Sequence, residues 1–189
     1  MSAIGRSGLT TAAYLRALAA MPAEHRLPVL RHEARRDLLL WGRLCFPEVV
    51  RAEYSDLHAD IAGWFDALGS PAERAGRPSP RLLRLGLLHR ALHRLEPYVA
   101  IIGPEATHVD AEVTTLRGLA DSTDRPLLRR LHGPRDWRGN LAEVQLVGGG
   151  GVVHLSARAL SGTIRGLNRD GRRPTLVVLD DVEKPEHLD

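Results

Sequence analysis

The sequence predicts an α/β fold in which helices pack on a mostly parallel sheet, and three observations support this prediction. Two short apolar runs of strand length stand at residues 97–103 and 176–179. Segments with helical spacing of apolar residues precede and follow the first run. A glycine-rich hairpin lies between the two runs. This alternation is typical of layered α/β domains, whose parallel strands are buried on both faces.

Length and composition are those of an ordinary globular protein. The chain has 189 residues, of which 43% are hydrophobic and 26% are charged. Its net charge of +3 does not by itself indicate nucleic-acid binding. No apolar run has the length of a membrane span, so we expect a cytoplasmic protein. Cys45 is the single cysteine, which excludes a disulfide within the chain, and we expect it to be buried.

Residues 1–68 are expected to form an N-terminal helical segment. The first helix ends before Pro22, and a second, unbroken helix is predicted over residues 26–46. A third helix is predicted over residues 54–69. Residues 69–80 are rich in proline, glycine and serine, and they predict a linker.

Residues 81–189 are expected to form the α/β core. The first element is an amphipathic helix over residues 81–96, with arginine side chains and His89 and His93 on its solvated face. A buried strand and a second helix follow at residues 97–103 and 104–121. Then come two strands that meet at Gly148–Gly151, a polar loop, and the final strand.

The final strand delivers acids to its carboxyl end. Leu179 is followed by Asp180 and Asp181, and Glu183 comes two positions later. In α/β sheets, ligands gather at the carboxyl ends of the strands. There one carboxylate can bind Mg²⁺ while a neighbouring acid orients the attacking water of a nucleotide hydrolase. The alternative is structural, because aspartate is common where a strand turns into a loop.

A complete phosphate-binding loop is excluded by the lysine content. The G-x-x-x-x-G-K-[ST] motif needs a lysine that reaches the phosphates. The one lysine of the chain is Lys184, which follows the acids. The nearest approximation, at residues 73–80, contains Pro78 in place of a backbone N–H donor.

Several segments, taken in order, resemble the ATPase domain of phage terminase large subunits, the DNA-packaging motors. "LCFPEVVRAEYSDLHADIAGWFDAL" resembles its entry segment, and "PYVAIIGPEATHVDAEVTTLRGLAD" resembles a strand and helix that follow the phosphate-binding loop. The most specific match is "GTIRGLNRDGRRPTLVVLDDVEKPEHL", with an Arg–Gly loop and a Walker B strand that ends in Asp–Asp. The resemblance covers most of residues 40–189.

The resemblance implies a partial P-loop NTPase core of the RecA-like, three-layer type that binds ATP and Mg²⁺. Asp180 would be the metal carboxylate and Asp181 the catalytic acid, with Glu183 as a further catalytic candidate. Arg165 would contact the phosphate of the nucleotide or a neighbouring subunit, and the alternative is that it stabilises its own loop. The implied partners are double-stranded DNA, the portal and the small terminase subunit, in a homo-oligomer within the bacterial host cytoplasm.

The sequence also departs from this family. The phosphate-binding loop and the nuclease domain have no counterpart in it, so we expect a truncated relative of the family with little or no ATP hydrolysis and no DNA cleavage. One alternative is a small, non-catalytic binding or assembly module that uses the same fold. Another is a metal-dependent enzyme that uses Asp180, Asp181 and a histidine.

Overall fold

The computed structural model describes residues 11–47, 80–121, 125–148, 151–162 and 167–180. These residues form an α/β protein with six helices and five strands. The helices are α1 (Thr11–Ala20), α2 (Ala23–Arg36), α3 (Leu38–Cys45), α4 (Pro80–Leu92), α5 (Ala106–Ala120) and α6 (Pro126–His132). The strands are β1 (Tyr98–Gly103), β2 (Arg135–Gly139), β3 (Glu143–Gly148), β4 (Gly151–Ala159) and β5 (Leu176–Leu179).

The chain divides into two compact units. The first comprises Met1–His89 and Asp124–Leu131. The second comprises Arg90–Thr123 and His132–Asp189, and it contains the whole described sheet. The predicted helix at residues 54–69 and the linker residues 69–79 lie outside the described residues, so both stay predictions.

The unbroken helix predicted over residues 26–46 is wrong, because Asp37 divides it into α2 and α3. Asp37 has extended backbone angles, φ −136° and ψ 99°. Its carboxylate accepts from the backbone N–H of Leu40 at 2.8 Å. Aspartate satisfies the free N–H groups of a helix start better than it extends a helix, so it begins α3. Trp41 and Phe46 are fully buried, with ring centroids 5.0 Å apart.

The predicted burial of Cys45 is confirmed, and Cys45 carries no disulfide.

The prediction that the helix at residues 81–96 has a solvated face is wrong. In α4 every residue from Leu85 to Leu92 is buried, including His89 and Arg90. Burial is tolerated because both groups are paired. Nε2 of His89 donates to the carbonyl oxygen of Ala34 at 2.8 Å. The guanidinium of Arg90 donates to Glu96 at 3.0 Å.

Helix α4 is also shorter than predicted, since it ends at Leu92 rather than Glu96. Arg94 has a φ of 54°, a conformation that no α-helical residue adopts. His93, predicted on the surface, is buried and contacts the ring of His132 at a centroid distance of 4.5 Å. The apolar spacing therefore located the helix, while its end and its polar contacts depended on neighbours.

The sheet has the strand order β2-β3-β4-β1-β5. β1 pairs in parallel with β4 on one side and with β5 on the other. The β2–β3 and β3–β4 pairs are antiparallel, so the sheet is mixed rather than mostly parallel. All six residues of β1 are buried, as its unbroken apolar run predicted. Helix α5 packs against β1 and β4.

The predicted hairpin is confirmed, because β3 and β4 pair with Gly148 opposite Gly151. A Cβ atom on Gly148 would lie 2.5 Å from the carbonyl oxygen of Pro134, so glycine lets the chain before β2 approach the hairpin. Two elements, β2 and α6, were not predicted from the sequence pattern. The "RDWRG" segment of β2 lacks an apolar alternation, and its exposed positions are typical of an edge strand.

Candidate functional site

The predicted acid Asp180 lies at the carboxyl end of the final strand. β5 ends at Leu179, and the backbone N–H of Asp180 donates to the carbonyl oxygen of Ile102 at 2.8 Å. This bond continues the parallel ladder between β1 and β5 by one residue. The Asp180 side chain, which is 17% exposed, is therefore held at the edge of the sheet where α/β proteins bind ligands.

The partner of Asp180 comes from the turn and helix that follow β1. β1 ends at Gly103 and α5 begins at Ala106, so His108 lies in the first turn of α5. Nε2 of His108 lies 3.0 Å from Oδ2 of Asp180. A Cβ atom on Gly103 would lie 2.8 Å from Cγ2 of Val109 and 3.1 Å from the His108 ring. Glycine at position 103 therefore lets the start of α5 approach the end of the sheet.

A second carboxylate, that of Glu112, completes the arrangement. Glu112 follows His108 by four residues, which places both side chains on one face of α5. Ligand atoms of His108, Glu112 and Asp180 all lie within 4.8 Å of one another. We call these three residues the strand-end cluster. Within the described ranges it is the one group of three metal-ligating side chains close enough to share an ion.

The strand-end cluster combines one imidazole nitrogen with carboxylate oxygens from two residues. Such a donor set suits divalent cations. The side chain of His108 is 37% exposed, so a hydrated cation can reach the cluster from solvent. The arrangement can therefore hold a cation and leave coordination positions for water.

The resemblance implies that ATP and Mg²⁺ bind. The described residues include ligands suitable for Mg²⁺ but no lysine for the phosphates of ATP. Carboxylate oxygens such as those of Asp180 and Glu112 are ligands that Mg²⁺ takes in proteins. A triphosphate needs a cradle of backbone N–H groups and a lysine. The one lysine, Lys184, lies outside the described residues. The described residues thus supply donors for the cation and no lysine for the phosphates.

The other predicted site residues cannot be compared with the geometry. Asp181, Glu183 and Arg165 lie outside the described residues, and their roles stay predictions. The sequence reading missed His108 and Glu112. Their signal was the "HVDAE" stretch directly after an apolar strand, where a His–x–x–x–Glu spacing meets the first helical turns.

A second polar cluster lies on the antiparallel half of the sheet and centres on Glu143, the first residue of β3. Its Oε2 atom accepts from Oγ of Ser156 at 2.8 Å and from Nη1 of Arg169 at 3.0 Å. Its Oε1 atom pairs with the guanidinium of Arg158. Oγ of Ser156 also lies 2.7 Å from the hydroxyl of Tyr98. We call these five residues the Glu143 network.

The charges in the Glu143 network are paired with one another, which indicates a structural role. One carboxylate is matched by two guanidinium groups and a hydroxyl, which leaves little capacity for a ligand cation. Arg169 belongs to the loop before β5, so its ion pair ties that loop to β3.

The part of the chain that the structure describes has no helix long and apolar enough to cross a membrane. A scan against protein-family models and searches of curated proteins and of solved structures gave no match to the chain. Its function is therefore inferred from the residues and their geometry.

Proposed function

We propose that the chain is a relative of the terminase large-subunit ATPase that serves DNA packaging by binding, with little or no ATP hydrolysis of its own. The observation that carries this proposal is the position of Asp180. It follows a short parallel strand, β5, and it lies beside the end of the buried strand β1. A Walker B aspartate requires this position, at a rigid strand end open to a bound nucleotide.

The arrangement of elements supports a RecA-like core. β1 and α5 coincide with the segment that resembles a strand and helix of the packaging ATPases, and β5 coincides with the Walker B match. These two strands pair in parallel, with Ile102 opposite Leu179. Parallel pairing is required if both carboxyl ends are to meet at one nucleotide site.

The lysine content supports the expectation of little or no hydrolysis. Transfer of a γ-phosphoryl group depends on positive charge that stabilises the developing charge on the phosphate oxygens. The described residues contain no lysine, since the single one is Lys184. Asp180 can therefore attract a cation, but the described residues offer no lysine to hold the phosphates in line with water.

The proposal implies three partners, namely double-stranded DNA, the portal and the small terminase subunit. Binding to DNA would depend on the arginine-rich composition, and it should weaken as salt rises. A small assembly module with the same fold is the alternative, and it should bind no DNA.

The test combines ATP turnover with DNA retention on the full chain. We expect no phosphate release above the protein-free rate with Mg²⁺ and ATP, and salt-sensitive retention of duplex DNA. Turnover that disappears in Asp180→Asn, but persists in the exposed control Asp136→Asn, would contradict the non-hydrolytic proposal. Failure to retain DNA at low salt would favour the assembly module.

A further inference from the structure

We propose that His108, Glu112 and Asp180 form a binding site for a divalent transition-metal cation of the Zn²⁺ class, occupied without any nucleotide. This inference goes beyond the proposed function. The packaging resemblance implies only Mg²⁺ on Asp180, and it assigns nothing to His108 or Glu112. The new site requires all three side chains of the strand-end cluster.

The choice of cation follows from the donor atoms. Mg²⁺ prefers an octahedral shell of oxygen atoms and gives up its waters reluctantly. An imidazole nitrogen beside carboxylates favours Zn²⁺, Co²⁺ or Ni²⁺. His108 brings that nitrogen to within 3.0 Å of the Asp180 carboxylate, so both can enter one coordination sphere.

The spacing of the ligand atoms suits such an ion. With metal–ligand distances of about 2.0–2.2 Å, neighbouring ligands of a tetrahedral site lie about 3.4 Å apart. The atoms of the strand-end cluster lie within 4.8 Å of one another, so the widest gap must close by at most about 1.4 Å. Rotation of the Glu112 side chain can supply that movement, because several of its bonds rotate.

The backbone under the site is already fixed. Asp180 is bonded through its N–H to Ile102, and the N–H of Leu160 donates to the carbonyl oxygen of Gly103 at 2.8 Å on the other side of β1. His108 and Glu112 lie on the same helix, whose start closes onto Gly103. Ligands on two rigid elements need little ordering when the metal binds, which favours affinity.

Three protein ligands leave at least one position of a tetrahedral ion for water. That coordination is found in zinc sites that bind a further ligand, whereas closed structural sites use four protein ligands. The bound cation would also join the end of β5 to α5. We therefore expect metal binding to stabilise the sheet unit.

The experiment measures the metal alone with the metal-free full chain. Isothermal titration with Zn²⁺, in the absence of nucleotide, should give one site per chain, and Mg²⁺ should bind at least tenfold more weakly. Co²⁺ should give a visible absorption spectrum that Zn²⁺ abolishes. Glu112→Gln and Asp180→Asn, which keep side-chain size, should each weaken Zn²⁺ binding at least tenfold, as should His108→Ala.

Matched controls separate this site from adventitious binding. His25→Ala removes an exposed histidine of α2, and Asp136→Asn removes an exposed carboxylate of β2, so both should bind Zn²⁺ like the parent chain. Circular dichroism establishes that each variant is folded. If the parent chain binds no Zn²⁺, the proposal is overturned. It is equally overturned if folded Glu112→Gln and Asp180→Asn bind Zn²⁺ as well as the parent.

The two proposals fail separately. Zn²⁺ binding without DNA retention would leave the metal site standing and remove the packaging role. DNA retention without Zn²⁺ binding would support the packaging role and overturn the metal site.

Discussion

Two carboxylates of the same sheet, Glu143 and Asp180, differ in what surrounds them. Glu143 pairs with two arginines and a serine hydroxyl, so positive charge exceeds negative charge around it. Asp180 lies with the imidazole of His108 and the carboxylate of Glu112, and the ligand atoms of all three lie within 4.8 Å of one another. The fold therefore surrounds Glu143 with groups that neutralise it, whereas it places Asp180 beside two further side chains that can bind a metal ion.

The largest effect is expected from removing the structural acid. Glu143→Ala would leave Arg158, Arg169 and Ser156 without their shared acceptor. Because the pairs are only partly buried, we expect a loss of about 2–3 kcal/mol in the free energy of unfolding, rather than the larger loss of a fully buried pair. Urea denaturation measures it. The exposed pair of Asp136 and Arg138 gives the control, since Asp136→Asn should change stability by less than about 0.5 kcal/mol. Equal losses in both variants would refute the structural role of Glu143.

The next effect concerns the strand that presents Asp180. Val178 is 7% exposed, whereas its neighbour Val177 is 52% exposed. We expect Val178→Ala to lower the free energy of unfolding by about 2 kcal/mol and Val177→Ala to lower it by less than about 0.5 kcal/mol. Thermal unfolding of the pair measures the difference. Similar losses in the two variants would mean that β5 does not pack with Val178 inward.

A smaller effect is expected at Asp180, the acid that we propose binds a cation. Asp180→Asn in the metal-free chain should change the free energy of unfolding by less than about 1 kcal/mol, because its pair with His108 is partly exposed. Zn²⁺ should raise the melting temperature of the parent chain and not of this variant. A metal-free loss as large as that of Glu143→Ala would make Asp180 a structural residue, contrary to the comparison.

The smallest effect is expected for the hydroxyl of Tyr14, which belongs to the compact unit that comprises Met1–His89 and Asp124–Leu131. The buried hydroxyl of Tyr14 has no hydrogen-bond partner among the described residues. Burial raises the pKa of Tyr14 from 10.0 to about 12, with smaller contributions from Glu33 and Asp37. Tyr14→Phe removes the unpaired hydroxyl, so it should leave stability at pH 7 unchanged or raise it by less than about 1 kcal/mol.

The raised pKa of Tyr14 also predicts a pH dependence. The folded chain holds the phenolic proton more tightly than the unfolded chain, so the resulting stability is complete below pH 10 and is lost as the pH rises towards about 12. Urea unfolding from pH 9 to 11.5 should therefore show a steeper decline for the parent chain than for Tyr14→Phe. Parallel declines would show that the Tyr14 hydroxyl does not ionise with a raised pKa.

Much of the fold could be predicted because strong local patterns determine it. The apolar run of β1, the helix of α5, the glycine hairpin and the strand that ends at Leu179 all have a clear period or turn signal. The break at Asp37 and the edge strand β2 were missed. Neither an aspartate within a helical pattern nor a polar strand has a periodic signal in the sequence. Contacts with neighbouring residues decide whether the helix breaks at Asp37 and whether β2 forms a strand.

The candidate site was only half predictable. Asp180 could be located from the sequence, because an apolar strand fixes where its carboxyl end lies. His108 and Glu112 could not be assigned to it, because they precede Asp180 by 72 and 68 positions and meet it only through the parallel pairing of β1 with β5.

The sequence by itself determined the α/β class, the strand-end position of Asp180 and the lack of a lysine that could serve a phosphate-binding loop. Periodicity and composition are local properties, and they are sufficient for these conclusions. The tertiary structure alone decided that His89 and Arg90 are buried, that the sheet is mixed, and that Asp180 lies with His108 and Glu112. The burial of His89 depends on its contact with Ala34 of α2, and the last two features depend on which strands pair. Both are set by packing between segments that are distant in the chain.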